Sequence, residues 1–210
     1  MSFINYVGHK SGIKQITVLR LLSVVLLSLC VLFVAGCNDA APQFKGSDIT
    51  GTHLGKELDL TGTDGKPYKL EALKGKVTIV LFGFTQCPDV CPTSLAELTQ
   101  VMKLLGNDAK RVRVVLITVD PERDTPEVLR AYVSGFDPQF LGLTGTVEQI
   151  KKAAASFKVY FAKTAGVQGN YSMDHSASFY LMDAQGESRV LLNNSIGAAA
   201  IAHDAQRLLR

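Results

Sequence analysis

A strand pattern that leads into two cysteines and then into a helix constrains this chain more than any other feature. Residues 77–82 read VTIVLF, an almost unbroken apolar run typical of a strand buried on both faces. Cys87 and Cys91 follow, and residues 94–105 carry leucine, valine and methionine at helical spacing. Backbone N–H groups at a helix start favour the thiolate form of a nearby cysteine. The sequence therefore predicts a reactive or metal-binding pair of thiols at a strand-to-helix turn.

Strand and helix patterns alternate along much of the remaining chain. Asp64-Gly65 marks the turn of a β-hairpin ahead of the first central strand, and residues 112–119 form a second apolar strand. Strands at 178–182 and 189–192 form an antiparallel hairpin, and a further helix is predicted over 198–209. The fold class predicted is α/β, with a central mixed sheet flanked by helices and an N-terminal β-hairpin.

Two more helices have recognisable starts. Thr125 can cap a helix whose first residue is Pro126. Thr146 and Gln149 have the spacing of a capping box for a helix that reaches Phe157. Both helices belong to the alternating pattern that defines the fold class.

The first 37 residues have the pattern of an export signal. Lys10, Lys14 and Arg20 precede an apolar run over residues 21–35, and no acidic residue occurs before Cys37. A bilayer span needs about 20 apolar residues, whereas a signal peptide needs roughly 7–15, so the run favours export. The run ends in Val-Ala-Gly-Cys, which resembles the lipobox of bacterial lipoproteins. The alternative is an uncleaved signal anchor in which Cys37 has no role.

We therefore predict three regions: a lipoprotein-type signal peptide over residues 1–36, a tether over 37–50 and one domain over 51–210. Lipidated Cys37 would anchor the chain to the membrane. The domain would then face the periplasm or the outer face of the bacterial cytoplasmic membrane.

The charge of the chain lies mostly in that leader. The sequence holds 22 Lys and Arg against 19 Asp and Glu, and three of the basic residues precede Cys37. The remainder is balanced, at 19 of each sign. We expect no nucleic-acid partner, because the domain has no excess of basic residues.

Cys87 and Cys91 are spaced for chemistry rather than for stability. An exported pair of cysteines is by default a structural disulfide, which remains the alternative. A bond closing so short a loop, however, stabilises a fold by less than the roughly 3 kcal/mol expected for a 15-residue loop. Thiolates are soft donors that select Cu(I) or Zn(II), and two of them on adjacent helical turns can point at one ion. The pair is therefore predicted to be a redox couple or a pair of metal ligands.

His175 is the histidine best placed to complete such a site. It lies in a segment, 171–177, that is predicted to be a loop leading into a buried strand. His9, His53 and His203 are predicted to have no part in the site. Met173 offers a thioether suited to Cu(I), but a packing role is the better interpretation.

Two carboxylates are candidates for supporting roles around the cysteines. Asp120 directly follows the second central strand, and Asp89 lies between the two cysteines. Either could tune the site or hold Arg123, and either could instead cap a loop.

Three motifs together resemble the Sco/SenC family. They are GFTQCPDVCP at 83–92, VDPERDTP at 119–126, and the segment from Asp174-His175-Ser176 to 180–183. Their order and spacing agree with that family, and the likeness covers most of residues 50–210. Many members of the family have histidine where this chain has Gln86.

The resemblance implies a thioredoxin-like fold and a copper chaperone, with Cys87, Cys91 and His175 as the copper ligands. The copper would be carried as Cu(I), Cu(II) or both. The implied partner is the cytochrome c oxidase subunit that holds the dinuclear copper centre, together with other copper carriers. Such a protein is a metallochaperone rather than an enzyme.

A thiol-disulfide reductase that keeps a partner's copper-binding cysteines reduced is the alternative function. It would use Cys87 and Cys91 as a redox disulfide, with Cys87 the more exposed nucleophile. Thioredoxin-type oxidoreductases carry a cis-proline facing the cysteine motif, whereas this chain has no proline after Pro138. The absence weakens the case for general disulfide exchange and strengthens the case for a three-ligand site.

Overall fold

The computed structural model describes residues 43–165 and 171–210. The strands in these ranges are β1, Ser47–Asp48; β2, Asp59–Gly62; β3, Pro67–Lys69; β4, Val77–Gly83; β5, Val112–Thr118; β6, Leu141–Thr144; β7, Phe161–Ala165; β8, Tyr171–His175; β9, Ser178–Met182; and β10, Ser188–Asn193. The helices are α1, Leu70–Leu73; α2, Val90–Leu105; α3, Pro126–Ser134; α4, Val147–Ser156; and α5, Ala198–Leu208, with a 3-10 turn at Gly106–Arg111.

The main sheet is mixed, as predicted. Its eight described strands run in the order β1-β10-β9-β4-β5-β6-β2-β3. Strand β5 pairs in parallel with β4 and with β6, whereas β9 pairs antiparallel with the other side of β4. The predicted N-terminal hairpin is β2 and β3, and Gly65 in its turn has a φ of 80°, which glycine adopts without strain. The α/β prediction is therefore confirmed.

Strand β4 divides the core into two halves because its side chains alternate between faces. Val77, Ile79 and Leu81 belong to one cluster of buried residues, which contains the apolar stripes of α2 and α5. Val80 and Phe82 belong to the second cluster, which contains the buried face of α4. Every residue of β4 is buried, as expected for a central strand covered on both faces.

The predicted helix starts are correct. The hydroxyl of Thr125 accepts a hydrogen bond from the N–H of Val128, and Pro126 is the first residue of α3. Thr146 and Gln149 form both hydrogen bonds of the capping box at α4.

The prediction of a loop over residues 171–177 is wrong for most of that segment. Residues 171–175 form β8, which pairs antiparallel with β7 in a separate two-stranded sheet. His175 is the last residue of β8 and lies opposite Phe161. The two strands contain few buried side chains, so their apolar pattern is too weak to reveal them.

The compact unit that contains the sheet begins at Phe44. Strand β1 pairs with β10, and the N–H groups of Lys45 and Gly46 donate to the carboxylate of Asp204 at 2.8–3.0 Å. Residues 44–50, predicted to be part of the tether, therefore belong to the folded unit. Both core clusters lie within residues 44–210, so this unit carries the whole described core.

The predicted signal peptide and Cys37 lie outside the described residues. Among the residues that are described, no helix has the length and apolar character needed to cross a bilayer.

Candidate metal centre

The two cysteines lie where β4 gives way to α2. Cys87 is half-buried in the turn before the helix, and Cys91 is the buried second residue of α2. Both therefore lie at the predicted strand-to-helix turn, Cys87 just before the helix and Cys91 inside it. One N–H of the helix start, that of Cys91, donates to the Cys87 Sγ at 3.4 Å. Both thiols are free, with no disulfide between them.

Gly83, the last residue of β4, makes room for the buried sulfur. A Cβ atom at this position would lie 2.7 Å from the Cys91 Sγ and 3.1 Å from the Leu116 Cδ1. The first distance is too short for any real contact between these atoms. The glycine therefore lets the helix start approach the end of the central strand closely.

Burial raises the pKa of the Cys91 thiol well above its ordinary value, and the neighbouring Cys87 adds to that rise. Burial at Cys91 therefore opposes the thiolate form that the helix start is expected to favour. A metal ion that binds this sulfur must displace its proton.

The Nε2 lone pair of His175 faces the cysteines. Its Nδ1 lies 3.1 Å from the carbonyl oxygen of Ser176, which can only accept a hydrogen bond, so Nδ1 carries the proton. The Nε2 atom lies 3.5 Å from the Cys91 Sγ. Burial lowers the pKa of the imidazole, which keeps it in the neutral form that binds metals. The ring also packs edge-on against Phe84, with 5.9 Å between ring centroids.

The three donor atoms are close enough to hold one ion. One ligand atom each from Cys87, Cys91 and His175 lies within 4.8 Å of the others. Metal bonds of about 2.0–2.3 Å place two ligands of a single ion at most about 4.6 Å apart. Small side-chain rotations therefore suffice to bring all three donors onto one metal ion.

Asp124 is a site residue that the sequence analysis did not identify. Its fully buried carboxylate accepts hydrogen bonds from the hydroxyl of Thr85, at 2.6 Å, and from the Thr85 N–H, at 3.1 Å. The hydroxyl of Thr118 donates to it at 2.6 Å. Asp124 therefore fixes the start of the cysteine turn to the end of β5. Its place in the VDPERDTP motif is a signal that could have revealed it.

Asp120 holds Arg123, as one of its predicted roles requires. The Arg123 Nε donates to the Asp120 carboxylate, and the Tyr171 hydroxyl donates to the same group at 2.8 Å. Asp89, in contrast, contacts only the Thr93 hydroxyl, at 3.4 Å, among its described side-chain partners. Asp120 thus connects Arg123 to the strand that carries His175, whereas the carboxylate of Asp89 contacts only its own helix start within the described residues.

The remaining candidates have other partners. His53 lies 3.0 Å from Glu187, and His203 lies 2.8 Å from Asp204. Met173 is buried in the second core cluster, as its predicted packing role requires. His9 lies outside the described residues.

Comparisons with known proteins show the family to which this sequence is similar. Residues 47–210 match the SCO1/SenC family model. An SCO2-like protein of Rickettsia felis is 42% identical over 136 residues, which cover 64% of this chain and 66% of that relative. The chain therefore spans just under two thirds of that protein's length.

Solved structures extend the likeness to the fold. ScoI of Bradyrhizobium japonicum, solved with copper bound, matches with a TM-score of 0.66 and 43% identity, over 71% of this chain and 96% of that one. BsSco matches with a TM-score of 0.61 and 28% identity, over 79% of this chain and 98% of that one. BsSco is described as having a disulfide switch and as a member of the Sco family of cytochrome c oxidase assembly proteins. These matches confirm the predicted thioredoxin-like fold.

Proposed function

Because the chain belongs to the SCO1/SenC family and has its thioredoxin-like fold, we propose that it binds copper and delivers it during the assembly of cytochrome c oxidase. The observation that carries the proposal is the convergence of two cysteine sulfurs and one imidazole nitrogen within 4.8 Å. The copper-bound structure of the relative ScoI and the description of BsSco as an assembly protein support it.

The donor set suits a cargo ion that must be both held and released. Thiolate sulfur favours Cu(I), whereas imidazole nitrogen is a good ligand for Cu(II), so the three donors together accommodate either oxidation state. Cys87 and His175 are only half-buried, which leaves them open to a partner's ligands. A partner could then replace the donors one at a time, with buried Cys91 the last to release the ion.

We further propose that the acceptor is the oxidase subunit with the dinuclear copper centre. In this proposal the mature chain is held at the outer face of the cytoplasmic membrane by lipidated Cys37. The lipobox-like end of the leader and its three basic residues support the anchor. Mass spectrometry of the membrane-extracted protein tests it, and an unmodified chain that still begins at Met1 would contradict it.

Copper titration of the reduced chain from Phe44 to Arg210 tests the ligand set. We expect one copper ion per chain, with sulfur-to-Cu(II) charge-transfer bands in the visible spectrum. The Cys87→Ser, Cys91→Ser and His175→Ala variants should each lose about 10-fold or more in affinity while remaining folded. His53→Ala is the matched control. It removes a histidine that contacts Glu187 and is not one of the three clustered donors. Wild-type affinity in all three ligand variants would rule the site out.

The asymmetry of the two thiols also favours the second candidate function, thiol-disulfide reduction. Cys87 is accessible while Cys91 is buried directly behind it, the arrangement needed for a nucleophile and a resolving thiol. A disulfide between them would also remove two of the proposed copper ligands. A reductase should keep its activity in the His175→Ala variant, whereas a copper carrier should lose about 10-fold or more of its copper affinity.

A further inference from the structure

Arg123 joins three segments that meet at the proposed copper site. Its Nε donates to Asp120, in the loop that follows β5. Its Nη1 donates to the Gln86 Oε1 at 3.0 Å, in the turn that carries Cys87, and to the carbonyl oxygen of Tyr171 at 2.9 Å, at the start of β8. The guanidinium thus bonds directly to both ligand-bearing segments.

Aromatic contacts extend this connection to the imidazole. The guanidinium carbon of Arg123 lies 3.8 Å from the centroid of the Tyr171 ring and 5.9 Å from that of Phe84. Phe84 in turn packs edge-on against His175. Arg123 therefore reaches His175 by two routes, one along the backbone of β8 and the other through the Phe84 ring.

The side chains of Asp120, Arg123 and Tyr171 each contact the other two. The carboxylate of Asp120 is 1% exposed and binds both Arg123 and the Tyr171 hydroxyl. Burial and this hydrogen bond raise the pKa of Tyr171 to about 12, so the hydroxyl keeps the proton that it donates. Each of the three side chains therefore fixes the other two.

Strand β8 needs such side-chain contacts because it does not pair with the main sheet in the described residues. It pairs only with β7, in a two-stranded sheet of its own. Cys91, in contrast, lies in α2, and Cys87 lies in the turn that joins β4 to α2. The distance between the imidazole and the sulfurs is therefore set by what holds β8 in place.

We propose that Arg123 is the positioning residue that holds the His175 imidazole beside the two sulfurs, and that it thereby determines how well the site retains Cu(II) relative to Cu(I). This inference rests on the proposed copper site. Cu(I) is satisfied by the two soft thiolates, whereas Cu(II) depends on the harder nitrogen donor. Loss of Arg123 should therefore affect Cu(II) far more than Cu(I).

Replacing Arg123 with lysine keeps the positive charge but removes the planar guanidinium group. The single ammonium of lysine can still pair with Asp120, but it cannot also donate to Gln86 and Tyr171 from a planar fork, nor stack flat on the Tyr171 ring. Arg123→Lys should therefore keep the ion pair and lose the positioning. Arg113→Gln is the matched control, because Arg113 also donates to a backbone carbonyl, that of Ala72 at 2.7 Å, and contacts no proposed ligand.

The test measures the affinities of the reduced chain from Phe44 to Arg210 for Cu(II) and Cu(I). In Arg123→Lys we expect the Cu(II) affinity to fall about 10-fold or more, with altered charge-transfer bands. The Cu(I) affinity should stay within about twofold of wild type. A difference of that size is expected even for a substitution that does not interact with the site. Added imidazole should restore the Cu(II) bands, because it can replace a displaced ring. In a His175→Ala background, Arg123→Lys should have no further effect on Cu(II).

Three outcomes would overturn the inference: unchanged Cu(II) affinity in Arg123→Lys, equal losses for Cu(I) and Cu(II), or a full additional loss in the His175→Ala background. A measurement on the metal-free protein keeps the inference distinct from the proposed function. Proton NMR of the wild type should show a cross-relaxation peak between the Phe84 and His175 rings, and Arg123→Lys should weaken it. If the wild type bound no copper, the proposed function would fail, while this peak would still decide whether Arg123 positions His175.

Discussion

At the scale of single residues, Gly83 shows how one missing side chain shapes the site. In Gly83→Ala the added methyl would meet the Cys91 sulfur at 2.7 Å, so the sulfur or the helix start must move. We expect a loss of stability of about 1–3 kcal/mol, typical of overpacking, together with weaker copper binding. Urea unfolding and copper titration measure the two effects.

The control for this change is Gly135→Ala, at the end of α3. A Cβ atom there meets only backbone carbonyls, the nearest at 3.3 Å. It should leave copper affinity unchanged. Equal copper affinity in both variants would show that the contact between Gly83 and Cys91 does not constrain the sulfur.

Asp124 predicts a pH dependence that one substitution can isolate. Burial raises the pKa of this carboxyl, although the hydrogen bonds from Thr118 and Thr85 oppose the rise. The pKa of the Asp124 carboxyl in the folded protein lies above the value of about 3.9 in the unfolded chain. The protonated carboxyl therefore contributes its full stabilisation below about pH 3.9, and this stabilisation is lost as pH rises through the folded pKa. Asp124→Asn cannot titrate. The wild-type free energy of unfolding minus that of the variant should therefore decrease as pH rises from about 4 toward 7.

Unfolding by urea across that pH range measures the difference directly. Parallel profiles for the two proteins would contradict the prediction. The variant should also be less stable at neutral pH, because an amide oxygen cannot accept all the hydrogen bonds that the carboxylate accepts.

At the scale of secondary-structure elements, the sequence predicts what local signals encode. The apolar run of β4, the capping box of α4 and the hairpin of β2 and β3 each depend on residues a few positions apart. Strands β7 and β8 escape prediction because only one of their ten side chains is buried, so they carry no clear apolar pattern. Asp124 escapes for a related reason: its partner Thr85 lies 39 residues away in the chain.

The same distinction separates the two halves of the proposed site. Cys87 and Cys91 are recognisable together because they are four residues apart, whereas His175 is 84 residues from Cys91. Its approach to the sulfurs depends on the tertiary fold. The sequence predicts this ligand through the resemblance to a family and through a thioredoxin-like fold, not through spacing.

The β7–β8 hairpin should respond to copper more than the main sheet does. It has no strand pairing to that sheet among the described residues, so its hydrogen bonds should open more readily than those of β4. Copper would tie its last residue, His175, to the helix start. We expect amide exchange in β8 to slow on copper loading while exchange in β4 stays the same.

Hydrogen exchange followed by mass spectrometry or NMR measures this difference. His175→Ala provides the control, since copper held by two sulfurs alone should leave β8 unprotected. Equal protection of β8 with and without copper in the wild type would contradict a role for the hairpin in metal binding.

At the scale of the whole molecule, the two core clusters meet at β4, and the cysteine turn begins where that strand ends. The packing that stabilises the domain is thus the packing that positions the sulfurs. His175 depends on a different set of contacts, centred on Asp120, Arg123 and Tyr171. Stability and the position of the imidazole should therefore be separable by mutation, with core variants lowering the first and Arg123 variants altering the second.

The last prediction concerns where the folded unit begins. Two chains, one beginning at Phe44 and one at residue 51, differ by the segment that forms β1 and donates two N–H groups to Asp204. Without that segment the Asp204 carboxylate, fully buried in the structure, retains only His203 among its described side-chain and backbone donors. We expect the shorter chain to be less stable by about 3 kcal/mol, the scale of hydrogen bonds to a charged group. It should bind copper with the same affinity, because the proposed site lies on other segments.

Adding Asp204→Asn should destabilise the longer chain by more than the shorter one, because only the longer chain makes the contacts that the substitution weakens. Equal stability of the two chains would show that the domain begins at residue 51, as composition alone predicts, and that the contacts of Lys45 and Gly46 contribute nothing to folding.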